Sequence, residues 1–355
     1  MHILNKVSLL SALAISLTAC GGGSGDGLES KSAQLTFAVS DSPENVQNVV
    51  IAFKNVSIKR VDNDENDGQP GEIIAMQDEQ GAETEYRQVD LLQFQGEDAA
   101  QLFTGISLVP GDYQMCIYIV DGTGSGNPDD SYVVEEDNSV KGLQTPSNGS
   151  CAGYKPDDEA MTGRLKTDTF TIHAGNNYLV AEFNLMKVLK SPVGNKDYWT
   201  LKPTGYELVH ADDAGTIQGS VDSNVVNNCL GSVAMAYLYP QTENSLMGDF
   251  RNDEIAQYSY LGQPMLAPLA AAKVNERIVE SDTLYEYEFG FVRVGDYSIG
   301  YTCSSDDTEL AEPVVADPNV TEPPVPSLIY QNAPAVNVSV IAGETVTAAT
   351  ISEQQ

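Results

Sequence analysis

The sequence predicts an all-β protein built as two antiparallel β-sandwich domains in tandem. Three observations carry that prediction. Apolar residues alternate with polar ones over short runs, and Gly, Pro, Asn and Asp break those runs at short intervals. A Gly-Asp-Tyr triplet opens a strand-like run twice, at Gly111-Asp112-Tyr113 and Gly295-Asp296-Tyr297, and each is followed later by an Ala-Gly turn, Ala174-Gly175 and Ala342-Gly343. Only one stretch, Leu266 to Val279, offers a helix, and Pro268 limits that helix to starting there or later. The echo suits two sandwiches of similar topology, although the segments between differ too much for a sequence repeat.

In the first domain Leu35, Phe37 and Val39 share one face of a strand that Asp41-Ser42-Pro43 ends. Val49, Ile51 and Phe53 share a face of the next strand, whereas Val56 and Ile58 have the opposite parity. Burying both sets requires a bulge near Lys54-Asn55. The acidic stretch from Asp62 to Glu85 reads as a solvated loop with too little apolar surface for a core. Order resumes at Val89-Asp90-Leu91-Leu92, and Leu108 to Tyr113 turns into the strand Tyr113 to Val120, apolar on both faces and therefore central. A polar insertion, Gly122 to Tyr154, follows. Phe170 to Ile172 and Tyr178 to Phe183 read as a hairpin around Ala174-Gly175-Asn176-Asn177, and Tyr198 to Pro203 closes the unit.

In the second domain Gly215 to Val221 reads as the opening strand and Cys229 to Tyr239 as another. Tyr285, Tyr287, Phe289 and Phe291 alternate with Glu286, Glu288 and Gly290, and Val294 to Tyr297 leads into a strand ending at Cys303. Ser304 to Pro326 reads as an exposed loop, and Val336 to Val340 with Thr345 to Ile351 as a final pair turning at Ala342-Gly343-Glu344.

The chain begins with a single positive charge at Lys6 and an apolar run from Val7 to Leu17, too short for a permanent membrane span. Leu17-Thr18-Ala19-Cys20 resembles a bacterial lipobox. The resemblance implies cleavage before Cys20, acylation of that cysteine, and stable anchoring by two or more chains. Gly21 to Gly27 supplies a flexible tether, and Gly21 resembles the residue of outer-membrane lipoproteins at that position. The expected division is signal peptide 1–19, tether 20–32, first sandwich 33–211 and second sandwich 212–355.

Residues 33–210 resemble an uncharacterised family of exported bacterial lipoproteins, domain of unknown function 4382. The resemblance lies in the order of the strand into Asp41-Ser42-Pro43, the strand Val49 to Ile58, Asp90-Leu91-Leu92, Pro110-Gly111-Asp112-Tyr113, Glu182-Phe183-Asn184-Leu185 and Leu201-Lys202-Pro203. It implies a β-sandwich and carries over no catalytic residues. Gly215-Thr216-Ile217-Gln218-Gly219-Ser220-Val221 resembles the opening of carboxypeptidase-regulatory-like or transthyretin-like sandwiches.

With 18 basic and 51 acidic residues the chain carries a net charge of -33. Loss of residues 1–19 removes Lys6 and leaves 336 of 355 residues, enough for two domains, with 17 basic groups against 51. A surface so acidic excludes nucleic acid as a partner, because binding it requires Lys and Arg at phosphates. Once Cys20 is lipidated, Cys116, Cys151, Cys229 and Cys303 allow three pairings. Chain order favours Cys116 with Cys151 and Cys229 with Cys303, as an exported protein permits.

Enzyme signatures are missing: there is no Gly-x-Ser-x-Gly, His-Glu-x-x-His, Walker loop or Gly-x-Gly-x-x-Gly. His2, His173 and His210 form no ligand cluster by sequence. Asp62, Asp64 and Asp67 occupy positions like those of a calcium loop. Position six is not Gly and position twelve is Ile73, so the stretch is not an EF-hand, and Ca²⁺ there is a candidate only. Asp129-Asp130 with Glu135-Glu136-Asp137 is a second such candidate. Tyr237, Tyr239, Tyr258 and Tyr260 are candidate sugar-stacking faces, weighed against cross-strand packing. The sequence thus predicts a non-catalytic, membrane-anchored envelope lipoprotein of the outer membrane, acting as a binding or structural module. A glycan or an envelope protein is the candidate partner. Carbohydrate binding is the alternative, and a hydrolase with an unrecognised carboxylate site is the second.

Overall fold

A computed structural model describes residues 32–42, 46–61, 71–124, 127, 129–157, 161–227, 234–241, 246–248, 250, 259–260, 263–280, 282–302 and 335–353. Strands dominate it. Residues Lys31–Gln355 form one compact unit, within which no sheet holds strands from both sides of residue 212.

The N-terminal sandwich opens with Ala33–Ser42, whose Leu35, Phe37 and Val39 are fully buried. This strand pairs antiparallel with Ala100–Leu108 and parallel with Gly175–Asn184, which in turn pairs with Tyr206–His210. The parallel pair makes the sheet mixed. The facing sheet is organised around Gly111–Val120, which lies between Asn48–Arg60 and Thr162–Lys166. The expected bulge is there: the register of Asn48–Arg60 shifts between Phe53 and Asn55, and Val49, Ile51, Phe53, Val56 and Ile58 all enter one core.

The acidic stretch needs correction. Glu72–Gln77 is a strand on Asn48–Arg60, and its Ile74 and Met76 are buried in the core. Two apolar side chains on one face suffice when a neighbouring strand already supplies the core. The helix expected between Leu266 and Val279 is also absent. Ala270–Lys273 and Asn275–Val279 are strands instead, because edge pairing with Met235–Pro240 buries Ala271 and Ala272 and overrides the helical preference of alanine.

The C-terminal sandwich opens with Ala214–Val221, flanked by Asp282–Arg293 antiparallel and Thr345–Thr347 parallel. Its facing sheet places Gly295–Thr302 between Met235–Pro240 and Val336–Val340. Tyr287 and Phe289 are buried as alternation requires, but Phe291 falls at φ 51° and Val292 takes the next core position. A register shift between Gly215 and Ile217 absorbs the extra residue.

Neither Ala-Gly turn makes a hairpin. Phe170–Ile172 pairs with the Gly-Asp-Tyr strand, whereas Gly175–Asn184 pairs with the opening strand of the other sheet. Val336–Val340 and Thr345–Thr347 separate in the same way. At each crossing a glycine has positive φ, Gly175 at 98° and Gly343 at 70°, a conformation that a Cβ would strain. Its N–H donates to the start of the opening strand: Gly175 to the Ser32 carbonyl at 3.2 Å and Gly343 to the Ala214 carbonyl at 2.7 Å. A hairpin would have left both strands in one sheet; the crossing lets Leu179, Ala181 and Phe183 cover the core shared with Phe37.

Candidate functional site

Two concave regions of the described residues bear on function. The larger, about 510 Å³, lies between the sandwiches and is lined by Asp41, Glu182, Tyr206, Glu207 and Arg293 among others. Glu182 and Glu207 stand directly opposite each other on Gly175–Asn184 and Tyr206–His210, an unfavourable pairing for two carboxylates. It is relieved in two ways. Arg293 from the C-terminal sandwich binds Glu207 and donates to the Leu208 carbonyl at 2.8 Å. Burial raises the carboxyl of Glu182 to about 8, opposed by hydrogen bonding with Ser40 and reinforced by the charge of Glu207. Although Glu182 keeps part of its surface in solvent, its Oε2 is enclosed without a hydrogen-bond partner, as is the Tyr206 hydroxyl. Burial pushes that hydroxyl well above the ordinary tyrosine range, with Asp168 adding to the effect.

The walls of this cleft also join the sandwiches. The Glu97 N–H donates to Glu288 Oε1 at 2.9 Å, and Asn184 Nδ2 donates to the Leu269 carbonyl at 2.8 Å. Met186 packs with Met235, Tyr237, Tyr239 and Phe250. At Gly290 a Cβ would lie 1.8 Å from the Gly96 carbonyl oxygen, so only glycine permits that approach. One Glu182 oxygen is thus enclosed, whereas Glu207, 59 % exposed in its side chain, is paired with Arg293.

The second region, about 320 Å³, belongs to the N-terminal sandwich alone. It forms where three distant segments meet. Asp121 follows the last residue of the central strand, Gln144 to Asn148 follow Val140–Gln144, and Lys196, Tyr198 and Thr200 come from the chain around Trp199–Leu201. Asp121 Oδ1 accepts from the Thr145 N–H at 2.8 Å. Burial raises its carboxyl to about 7, and only that Thr145 bond opposes the shift, so no cation compensates it. The half-buried Tyr198 carries Lys196 Nζ at 5.3 Å from its ring centroid.

The residues singled out by sequence fare unevenly. Cys116 and Cys151 are disulfide-bonded, with Cα atoms 6.1 Å apart. The bridge pins the insertion to the central strand, where Tyr118 packs edge-on to Tyr154. Cys20, Cys229, Cys303, Asp62, Asp64, Asp67 and Tyr258 lie outside the described residues, and so does the loop Ser304 to Pro326. Tyr237 and Tyr239 are each 1 % exposed and belong to the core, so they offer no stacking face; the packing alternative holds for both. Glu135 and Asp137 serve the turn between Tyr132–Val134 and Val140–Gln144: Glu135 accepts from Trp199 Nε1 at 2.9 Å, and Asp137 accepts from the Ser139 N–H at 2.9 Å. Among the described residues no three His, Cys, Asp or Glu side chains gather as a metal group. His173 and His210 nonetheless meet, their ring centroids 5.5 Å apart, a proximity that their separation in sequence hid. Asp121 and Glu182 were not marked by the sequence as site residues. The only local signal for Asp121 was its place at the end of a doubly apolar strand.

The fold and its pockets define an all-β protein of two topologically matched sandwiches. Residues 32–203, just under half of the chain, match the family model described as Domain of unknown function (DUF4382). No curated protein matches the chain. Among solved structures, a leucine-rich repeat protein from Bacteroides thetaiotaomicron aligns at 10 % identity and TM-score 0.18, over 92 % of this chain and 27 % of its own. The fimbrial anchor protein Mfa2 from Porphyromonas gingivalis aligns at 10 % identity and TM-score 0.15, over 78 % of this chain and 81 % of its own. At these scores neither likeness bears on fold or function here. No helix among the described residues is long and apolar enough to cross a membrane.

Proposed function

We propose that the chain is a lipid-anchored, non-catalytic binding protein of the bacterial outer membrane, with two sandwich domains, 33–211 and 212–355, held away from the bilayer by the glycine tether. The observation that carries this reading is Leu17-Thr18-Ala19-Cys20 followed by Gly21-Gly22-Gly23. A short apolar leader, a small residue before cysteine and a glycine-rich spacer form one working set for lipidation. Enclosure of Glu182 and capture of Glu207 by Arg293 support the non-catalytic part.

Replacement of Cys20 by alanine tests the anchor in cells fed labelled palmitate. Wild-type protein should incorporate label and sediment with outer membranes, whereas Cys20→Ala should lose both. Label or outer-membrane sedimentation that survives the substitution sinks the proposal.

A further inference from the structure

We propose that the pocket beside Tyr198 is a binding site for a neutral sugar ring. The inference rests on the binding-protein reading and names its ligand class. Five features of the pocket converge on that class.

Its lining mixes donors and acceptors: Gln144, whose Nε2 already donates to the Gly122 carbonyl at 3.1 Å, the hydroxyl of Thr145, that of Ser147, which accepts from Arg164 at 3.3 Å, and the carboxyl of Asp121. A polyol both donates and accepts at each hydroxyl and so complements a mixed wall. An apolar ligand would leave these groups unpaired, at a cost.

The charges balance. One carboxyl, Asp121, and one amine, Lys196, line the pocket, and the amine is engaged by the Tyr198 ring. A dianion such as phosphate would face Asp121, and a diamine would face Lys196. A neutral ligand meets neither conflict.

Asp121 has its Oδ1 fixed by the Thr145 N–H and no compensating cation. A sugar hydroxyl could donate to its other oxygen, a charge-assisted bond stronger than one between neutral groups. Lys196 Nζ covers one face of the half-buried Tyr198 ring, so the C–H side of a pyranose would stack on the opposite face. At about 320 Å³ the pocket sits at the low end of ligand sites, which run from roughly 300 to 1,000 Å³. That size suits one or two rings.

The test uses the full chain in detergent micelles, with methyl glycosides of glucose, galactose, mannose and N-acetylglucosamine as probes. Saturation-transfer NMR reports contact and titration gives the affinity. At least one glycoside should bind saturably. Tyr198→Ala and Asp121→Ala should each weaken it by about tenfold or more, the factor that roughly 1.4 kcal/mol represents, and Tyr198→Phe should retain it. Should Asp121→Ala fail to fold, the Tyr198 pair decides, since that ring is only half-buried. Failure of all four sugars to bind, binding indifferent to Tyr198, or displacement by putrescine but not by sugars would each overturn the proposal. The anchoring result with Cys20→Ala is read separately and stands whichever way the sugars behave.

Discussion

The two sandwiches share a skeleton and differ in what has been hung upon it. In each, an opening strand pairs with an antiparallel strand that runs into a Gly-Asp-Tyr strand of the facing sheet. That strand then pairs with a short partner, and an Ala-Gly crossing returns the chain parallel to the opener. The correspondence reaches single bonds. Thr171 Oγ1 donates to Asp112 Oδ1 at 2.6 Å, and Ser339 Oγ donates to Asp296 Oδ1 at 2.5 Å. Tyr113 donates to the Val109 carbonyl at 2.7 Å, and Tyr297 to the Arg293 carbonyl at 2.8 Å. The divergence is equally local. Cys116, five residues beyond its glycine, is bridged to an insertion that carries one wall of the pocket, whereas Gly300 occupies the equivalent position in the second sandwich. Shared bonds mark what the topology needs, and the unshared disulfide fastens the insertion that carries one wall of the candidate site.

The largest expected effect tests whether the matched halves are also separate units of stability. Phe37 packs on Phe103, and Phe289 on Tyr287, in two distinct cores. Truncating either phenylalanine to alanine should cost about 3–5 kcal/mol. Trp199, the sole tryptophan, reports on the N-terminal half alone. Its urea transition should therefore move with Phe37→Ala and stay in place with Phe289→Ala. The disulfide, closing 35 residues, should help keep the N-terminal half intact by about 4 kcal/mol on chain-entropy grounds. Equal displacement of the Trp199 transition by both variants would show one cooperative unit and remove the distinction.

The parts of this comparison legible in the sequence were those written in neighbouring residues. Opposite parity of Val49 to Phe53 and Val56 to Ile58 required the bulge, and the twin Gly-Asp-Tyr and Ala-Gly signals marked matching places. What the signals could not state was a partner. An Ala-Gly turn fits a hairpin and a crossing equally well until the opening strand, more than a hundred residues away, accepts the Gly175 N–H. Alanines 270–272 read as helical because the strand beside them is non-local. The pocket was hidden for the same reason: Asp121, Thr145 and Tyr198 carry no common motif and meet only through sheet pairing.

An intermediate effect separates the halves by pH. Glu182 and Asp121, both N-terminal, hold their protons to about 8 and about 7 in the fold, against ordinary values of 4.5 and 3.8. The folded state thus binds more protons than the unfolded chain between about pH 4 and 8, and stability must fall as pH rises through that window. In the C-terminal half Glu286 is shifted downward, first by its hydrogen bond to Arg277, which has the opposite sign and is weak at an exposed site. The Trp199 midpoint should therefore decline from pH 5 to pH 8, by an amount on the order of a few kcal/mol. General charge repulsion at a net charge of -33 acts in the same direction, so the diagnostic variant is Glu182→Gln. It should flatten the decline; an unchanged slope would place the effect elsewhere.

The smallest effect concerns the paired tyrosine hydroxyls. Tyr113→Phe and Tyr297→Phe each remove one bond to a carbonyl four residues earlier and should each cost about 1 kcal/mol. Equal costs would reflect the shared skeleton, yet the two carbonyls belong to different residues. Val109 is an exposed side chain. Arg293 reaches across the cleft to Glu207 and the Leu208 carbonyl, so the bond from Tyr297 also steadies the residue that ties the sandwiches together. A double-mutant cycle with Glu207→Gln separates the two roles. Tyr297→Phe should couple to it by about 0.5 kcal/mol or more, as groups in one network do, while Tyr113→Phe should be additive with it. Additivity for both tyrosines would reduce the Tyr297 bond to a topological requirement like its twin.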